Sequence, residues 1–380
     1  MKKNTFNPFF IQAYGGASCF CDREKETDSL LENIRNGRNT TLVSPRKYGK
    51  TGLIQHAFET IKCQKEPLEC LYTDVFATST LDDFVKALSG AIMSHFPEKN
   101  SAGKMFRKIL YGLRPVLYFD SLTGNPQLQF NFQNESEKIK TLENLLQFLE
   151  GMNKDVVVAI DEFQQIATYE DVNMEALLRG YIQQMRNVHF IFSGSKQTLM
   201  SEMFMSPKRP FFSSTSMLSL DRIPEESYGP FIERLFAEGN MTVREDALDM
   251  ILRWTRRHTF YTQYLCNALY AKRPKEVTLP IVLETCDQIL GQYSPTYIQY
   301  RELLTQVQWK MLVALAKEGV VSQPSNTAFM KKYGINGATS ARRTLQALVD
   351  KELVLPIADK EHVVYQVYDV FFSHWLSREF

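Results

Sequence analysis

Two hydrophobic periods alternate through the first two hundred residues. Between Glu24 and Asn36, Leu30, Leu31 and Ile34 share one helical face, and Gly37 follows as a natural stop. "TTLV", Thr40 to Val43, is a short β-prone run, and Thr51 to Ile61 then places Leu53, Ile54, Ala57, Phe58 and Ile61 at helical spacing. The alternation repeats, with a strand predicted at "ECLYTDV" (Glu69 to Val75) and a helix from about Thr80 to Phe96. "DVVVAI" (Asp155 to Ile160) and "VHFIFS" (Val188 to Ser193) are continuous apolar, β-branched or aromatic runs, as in strands buried on both faces. Strands alternating with helices predict a parallel sheet. The stretch from Pro97 to Asn134, with Gly124-Asn125-Pro126 at a turn, breaks this rhythm and reads as an insertion carrying a β-hairpin.

From about Asp221 to Gln299 the pattern becomes helical with no convincing strand, which predicts a small helical domain. From Tyr300 onward helices are expected at Gln308 to Lys317, Asn326 to Lys332 and Thr339 to Lys351, then two β-prone runs, "LVLPI" and "HVVYQV", and a final helix. Three helices followed by a β-hairpin form a winged helix. The expected division is therefore 1–221, 222–299 and 300–380.

Composition narrows the class. A chain of 380 residues exceeds what one core usually supports. With 44% apolar residues, 23% charged residues and a formal charge of +1, its balance is that of a globular protein, and bulk charge does not argue for nucleic acid or anionic membrane. The opening "MKKNTFNPFFIQAYGG" is too broken by Asn7, Pro8 and Gln12 for a signal-peptide core, and no run is long enough to span a bilayer. Six scattered cysteines without C-x-x-C pairs fit reduced thiols in a cytoplasm, and the dispersed histidines offer no zinc constellation.

The candidate chemistry begins at "SPRKYGKTGL", residues 44 to 53. It fits the phosphate-binding loop G-x-x-x-x-G-K-[ST] except that Ser44 replaces the first glycine, and it lies between a predicted strand and a predicted helix. Close backbone approach to phosphate is demanded mainly at Gly49, whereas Ser44 leaves a strand and is held extended by Pro45, so the serine is a tolerated variant. The expected nucleotide cradle is Ser44, Pro45, Arg46, Lys47, Tyr48, Gly49, Lys50, Thr51 and Gly52, with backbone N–H groups from Lys47 to Thr51 converging at a helix N-terminus. Lys50 would set its charge against the β- and γ-phosphates. Thr51 would supply a hydroxyl to Mg2+, which Asp161 would hold from the next strand. Glu162 is the candidate base for the attacking water. In "FSGS", Phe192 to Ser195, a polar residue at the strand end can face the γ-phosphate, with Ser193 the first choice and Ser195 the second; plain turn chemistry is the alternative.

Together, "FCDREKE" (Phe20 to Glu26), "SPRKYGKTGL", "VVVAIDEFQQI", "FIFSGS", "HTFYTQYLC" and "YDVFFSHWL" resemble the archaeal-type ATPase family of the AAA+ and STAND group, over almost the whole chain. The resemblance implies an α/β P-loop NTPase core of the ASCE or AAA+ kind, with the loop strand central in a parallel sheet, a helical lid and a C-terminal winged helix. ATP is implied as the nucleotide. "FCDREKE" is similar to a Gly-Arg-Glu opening motif near the adenine, with Asp22 in place of glycine and Arg23 and Glu24 matching. Phe20 and Tyr14 are candidates for the base pocket or for core. Relatives carry Gly-x-Pro in the lid where this chain reads Arg257-His258-Thr259, so Arg256, Arg257 or His258 would have to substitute. An arginine from a neighbouring subunit could be Arg179, Arg186 or Arg209, and the sequence does not choose.

The segment 300–380 carries ten Lys/Arg against eight Asp/Glu, which disfavours a dedicated DNA reader and favours contact with protein or with the ATPase core. Phe371, Phe372 and Trp375 are expected to pack inward. Two function classes stay open: a Mg-dependent ATPase that couples nucleotide state to movement of lid and winged helix, or a slow nucleotide-dependent switch or scaffold for a protein or DNA partner. The oligomeric state is not legible.

Overall fold

The computed structural model describes residues 6–97, 99–113, 116–119, 126–129, 132, 134–359 and 362–380. The chain forms two compact units, Gln12–Ile223 and a second that joins Met1–Ile11 to Pro224–Phe380.

The first unit runs α1 (Glu24–Arg35), β1 (Thr40–Val43), α2 (Lys50–Cys63), β2 (Leu68–Asp74), α3 (Leu81–His95), α4 (Ser101–Leu113), β3 (Val116–Phe119), β4 (Pro126–Gln129), α5 (Glu135–Glu150), β5 (Asp155–Asp161), α6 (Met174–Ile182), β6 (Val188–Gly194), α7 (Gln197–Met205) and β7 (Ser216–Ser219). Five of its strands form the expected parallel sheet, in the order β2-β5-β6-β1-β7. The period of two in β5 and β6 divides their side chains between two cores. Val156, Val158, Ile160, Phe190 and Phe192 pack with α3, α5, α6 and α7, whereas Val157, Ala159 and Ile191 pack with α1 and α2.

One detail of the expected order is corrected. Asp161 does not stand on the strand next to the loop strand, because β6 lies between β1 and β5. The crossover through α2 carries the chain past two strand positions before β2 is laid down, and β5 and β6 fill the gap. The expected hairpin is present as antiparallel β3 and β4, with Phe119 opposite Pro126; Gly124 and Asn125 lie outside the described residues. Helix α4, which precedes it, was not anticipated, and its Phe106 packs on Phe148 at 5.1 Å.

The second unit contains α8 (Glu225–Glu238), β8 (Thr242–Val243), α9 (Glu245–Trp254), α10 (Thr259–Ala271), β9 (Glu276–Val277), α11 (Leu279–Glu302), α12 (Gln306–Glu318), α13 (Thr327–Tyr333), α14 (Ala338–Asp350), β10 (Val354–Asp359), β11 (His362–Val367) and α15 (Val370–Glu379). Where no strand was expected, β8 and β9 make a two-residue parallel pair, too short to leave a period-two signature. Helices α12 to α14 and the β10–β11 hairpin form the winged helix, and Phe371, Phe372 and Trp375 of α15 are buried as expected. Phe371 sits among Trp254, Tyr261, Tyr264 and Tyr293, with ring centroids 4.7–5.8 Å away. The N-terminal strap clips onto α8 and α10. Asn7 donates to the Asn267 carbonyl at 2.9 Å, Asn267 donates to the Phe9 carbonyl at 2.7 Å, and buried Phe9 packs on Phe236 and Tyr270. Among the described residues no helix is long and apolar enough to cross a membrane.

Candidate functional site

Strand β1 ends at Val43, and the chain turns through residues 44–49 into α2. Lys47 and Gly49 have φ of 65° and 98°, so the turn uses left-handed backbone twice and is least strained with glycine at 49. Ser44 is fully buried, and its N–H meets the Gly194 carbonyl of β6 at 3.5 Å. Helical bonding starts with the Leu53 N–H on the Gly49 carbonyl at 2.9 Å. The N–H groups of Lys50, Thr51 and Gly52 therefore lie in the first turn, ahead of any intrahelical acceptor, where the helix dipole favours an anion. The Lys50 ammonium is buried and donates to the carbonyls of Ser44 at 2.9 Å and Pro45 at 3.2 Å. Burial lowers its pKa to about 8, against the opposing pull of Glu162 and Asp161.

The end of β5 brings the acids to this loop. Thr51 donates its hydroxyl to Oδ2 of Asp161 at 2.6 Å, and Asp161 Oδ1 accepts the N–H of Glu162 at 3.0 Å. Tyr72, on β2, donates its phenol to the same Oδ2 at 2.8 Å. Burial, followed by the charge of Asp161, pushes the Tyr72 phenol well above its ordinary range. Sequence reasoning missed Tyr72, because only the strand pairing that sets Asp74 opposite Asp161 brings it there. Glu162 has φ 53° and caps a short 3-10 turn, Phe163–Thr168. Its Oε2 accepts from the Ser195 hydroxyl at 2.8 Å and from the Gln164 amide.

The other candidates are placed as follows. Ser195, the second choice, reaches Glu162, whereas the Ser193 hydroxyl is buried with no hydrogen bond among the described residues. Arg23 is buried in left-handed backbone and is paired with Glu26 at 2.8 Å and with the Asp221 carbonyl. Phe20 stacks on His56 at 4.3 Å and approaches Gly52, and Tyr14 bonds His56 at 2.7 Å and Glu59 at 2.5 Å, so both aromatics belong to one cluster beside the start of α2. Arg209 pairs with Glu175 and Glu202, Arg179 donates to the Pro210 carbonyl, and Arg186 is exposed. Arg256 donates to the Ser373 hydroxyl at 2.8 Å within the second unit.

The donor set also bears on a metal. Among the described residues no group of three His, Cys, Asp or Glu could hold an ion alone. Thr51 and Asp161 bring two oxygens to one point, the partial set expected for Mg2+, whose shell is usually completed by phosphate and water.

Residues 20–256 match an ATPase domain predominantly from Archaea, and residues 295–378 match a probable winged helix domain. The fold is similar to that of the Walker-type ATPase of Pyrococcus abyssi, at 16% identity and a TM-score of 0.67, covering 97% of this chain and 99% of that one. It is also similar to the Aeropyrum pernix ORC2 protein in its ADPNP and ADP complexes, at 12% identity and a TM-score of 0.57, covering 98% of each chain. The Aeropyrum pernix ORC1 protein in complex with DNA is similar at 12% identity and a TM-score of 0.52, covering 98% of this chain and 96% of that one. No curated protein matches. The architecture is thus an α/β P-loop fold with a five-stranded parallel sheet and a C-terminal winged helix, and, matched over more than half its length, the chain belongs to the ATPase domain family found predominantly in Archaea.

Proposed function

We propose that the chain binds ATP in the Ser44–Gly52 loop and hydrolyses it. Lys50 exchanges the carbonyls of Ser44 and Pro45 for phosphate oxygens, and the first-turn N–H groups of α2 cradle the phosphates. Glu162 takes a proton from water as its oxygen attacks the γ-phosphorus; the bond from that phosphorus to the bridging oxygen breaks, and ADP leaves with the electron pair. Thr51 and Asp161 would hold Mg2+, which when bound spreads positive charge over the phosphoryl oxygens. The observation that carries this reading is the 2.6 Å bond between Thr51 and Asp161, which joins loop and acid strand across 110 residues of sequence. Steady-state phosphate release by the purified protein tests it. Glu162→Gln should lower kcat by about a hundredfold or more while ATP still binds. Equal rates in the two proteins would refute Glu162 as base.

A second reading, a slow nucleotide-dependent switch, is favoured by Arg256. This candidate for lid sensing is engaged with Ser373. Under this reading both proteins bind ATP and neither turns it over. In either case nucleotide state would set the position of the lid (222–299) and winged helix (300–380) against the core (1–221). For the winged helix we favour a protein partner over DNA. Arg342 and Arg343 of α14 are exposed, but Lys332 is paired with Glu318 and Arg378 with Asp287. Affinity for duplex DNA that falls steeply with salt would overturn that preference.

A further inference from the structure

Gln164 lies two residues beyond the acid pair, is 4% exposed, and is wedged against β6. A Cβ on Gly194 would come within 2.5 Å of its Oε1 and of the Met200 sulfur, so the glycine makes the room that this amide occupies. The short turn that carries Gln164 is fixed on both sides. Phe163 is buried 4.4 Å from Phe192, and the Gln165 amide donates to the Thr78 carbonyl at 3.0 Å. The Gln164 amide cannot swing freely, and its Nε2 donates to Oε2 of Glu162. The Ser195 hydroxyl donates to the same oxygen at 2.8 Å. Glu162 Oε1 is left as the carboxylate oxygen with no protein hydrogen bond among the described residues.

We propose that Gln164 is a positioning residue for hydrolysis, acting with Ser195 to clamp one carboxylate oxygen of Glu162 so that the other is presented to the attacking water. This rests on the reading of Glu162 as base. A freely rotating glutamate offers either oxygen over a broad range of angles, whereas one held from two sides presents a single lone-pair direction before the nucleotide arrives. Among the described residues the buried Oε1 of Gln164 has no hydrogen-bond partner, an arrangement that costs local stability and is expected where a side chain is held for function rather than for packing.

The test compares Gln164→Leu, Gln164→Glu and Ser195→Ala with the unaltered protein and Glu162→Gln, by steady-state phosphate release over a range of ATP concentration and by equilibrium binding of a fluorescent ATP analogue. Gln164→Leu and Ser195→Ala should each lower kcat by about tenfold, with analogue affinity held within about twofold. In each variant kcat should fall while KM for ATP stays put, and Ser195→Thr, which keeps the hydroxyl, should restore kcat, a split and a rescue that a merely structural role would not give. Gln164→Glu, which sets a second carboxylate against Glu162, should be slower than Gln164→Leu. Should Gln164→Leu fold poorly by melting, Ser195→Ala and Ser195→Thr carry the same test. Normal or raised kcat in Gln164→Leu and Ser195→Ala would overturn the clamp while leaving Glu162 as base, provided Glu162→Gln is slow. No turnover in the unaltered protein would overturn both.

Discussion

Burial of the Lys50 ammonium against two backbone carbonyls disfavours its charged form, which sets a pH signature for the nucleotide-free protein. Below about pH 8 the group is charged in both folded and unfolded chains, and the burial penalty is felt in full. Between about pH 8 and 10.5 the folded protein releases this proton before the unfolded chain does, so the Lys50 contribution to stability rises with pH in that window. Lys50→Met should therefore raise the apo-protein's stability at pH 7 by roughly 2–3 kcal/mol and abolish nucleotide binding, and its stabilising effect should shrink toward pH 10. Calorimetry at pH 7 and 9.5 measures this; an equal gain at both would show that the ammonium is not penalised. Tyr72 offers a second residue-scale test. Tyr72→Phe removes one of two donors on Asp161 Oδ2 and should cost about 1–2 kcal/mol in melting experiments, with Thr51 still in place.

At the scale of elements, the glycine ending β6 governs how the sheet meets the site. Gly194→Ala would drive a methyl into Gln164 and Met200, and should destabilise the fold by about 1–3 kcal/mol and slow hydrolysis; an unchanged melting temperature would contradict the packing. This crowding was not visible in "FSGS", which reads equally well as a turn. By contrast, Thr40–Val43 was legible to the residue, since a β-prone run that ends at a phosphate-loop pattern has little freedom of register. The half-exposed edge strand Ser216–Ser219 left no apolar run to find, and α4 was hidden by Gly103 and Gly112, which weaken a helical reading. The meeting of Thr51 with Asp161 was legible because two local motifs each declared their chemistry. The contacts of Tyr72, Gln164 and Ser195 with the two acids were not, because they depend on how strands align and turns close.

On the scale of the whole molecule, the second unit is built around aromatic contacts that join α9, α10 and α11 to the last helix, α15. Phe371 is central to them, 1% exposed and in ring contact with Trp254, Tyr261, Tyr264 and Tyr293. Phe371→Ala should cost about 3–5 kcal/mol, read as a lower melting transition for this unit, while the phosphate loop of the other unit keeps its nucleotide affinity. The connectivity of the two units also has a mechanical meaning. Because residues 6–11 are clipped to α8 and α10, the polypeptide crosses between units twice, at Ile11–Gln12 and again at Ile223–Pro224. A cut at the first of these crossings would leave residues 6–11 held on the second unit only by the two hydrogen bonds with Asn267 and the packing of Phe9, so its release, or its persistence, would weigh how firmly that strap is seated.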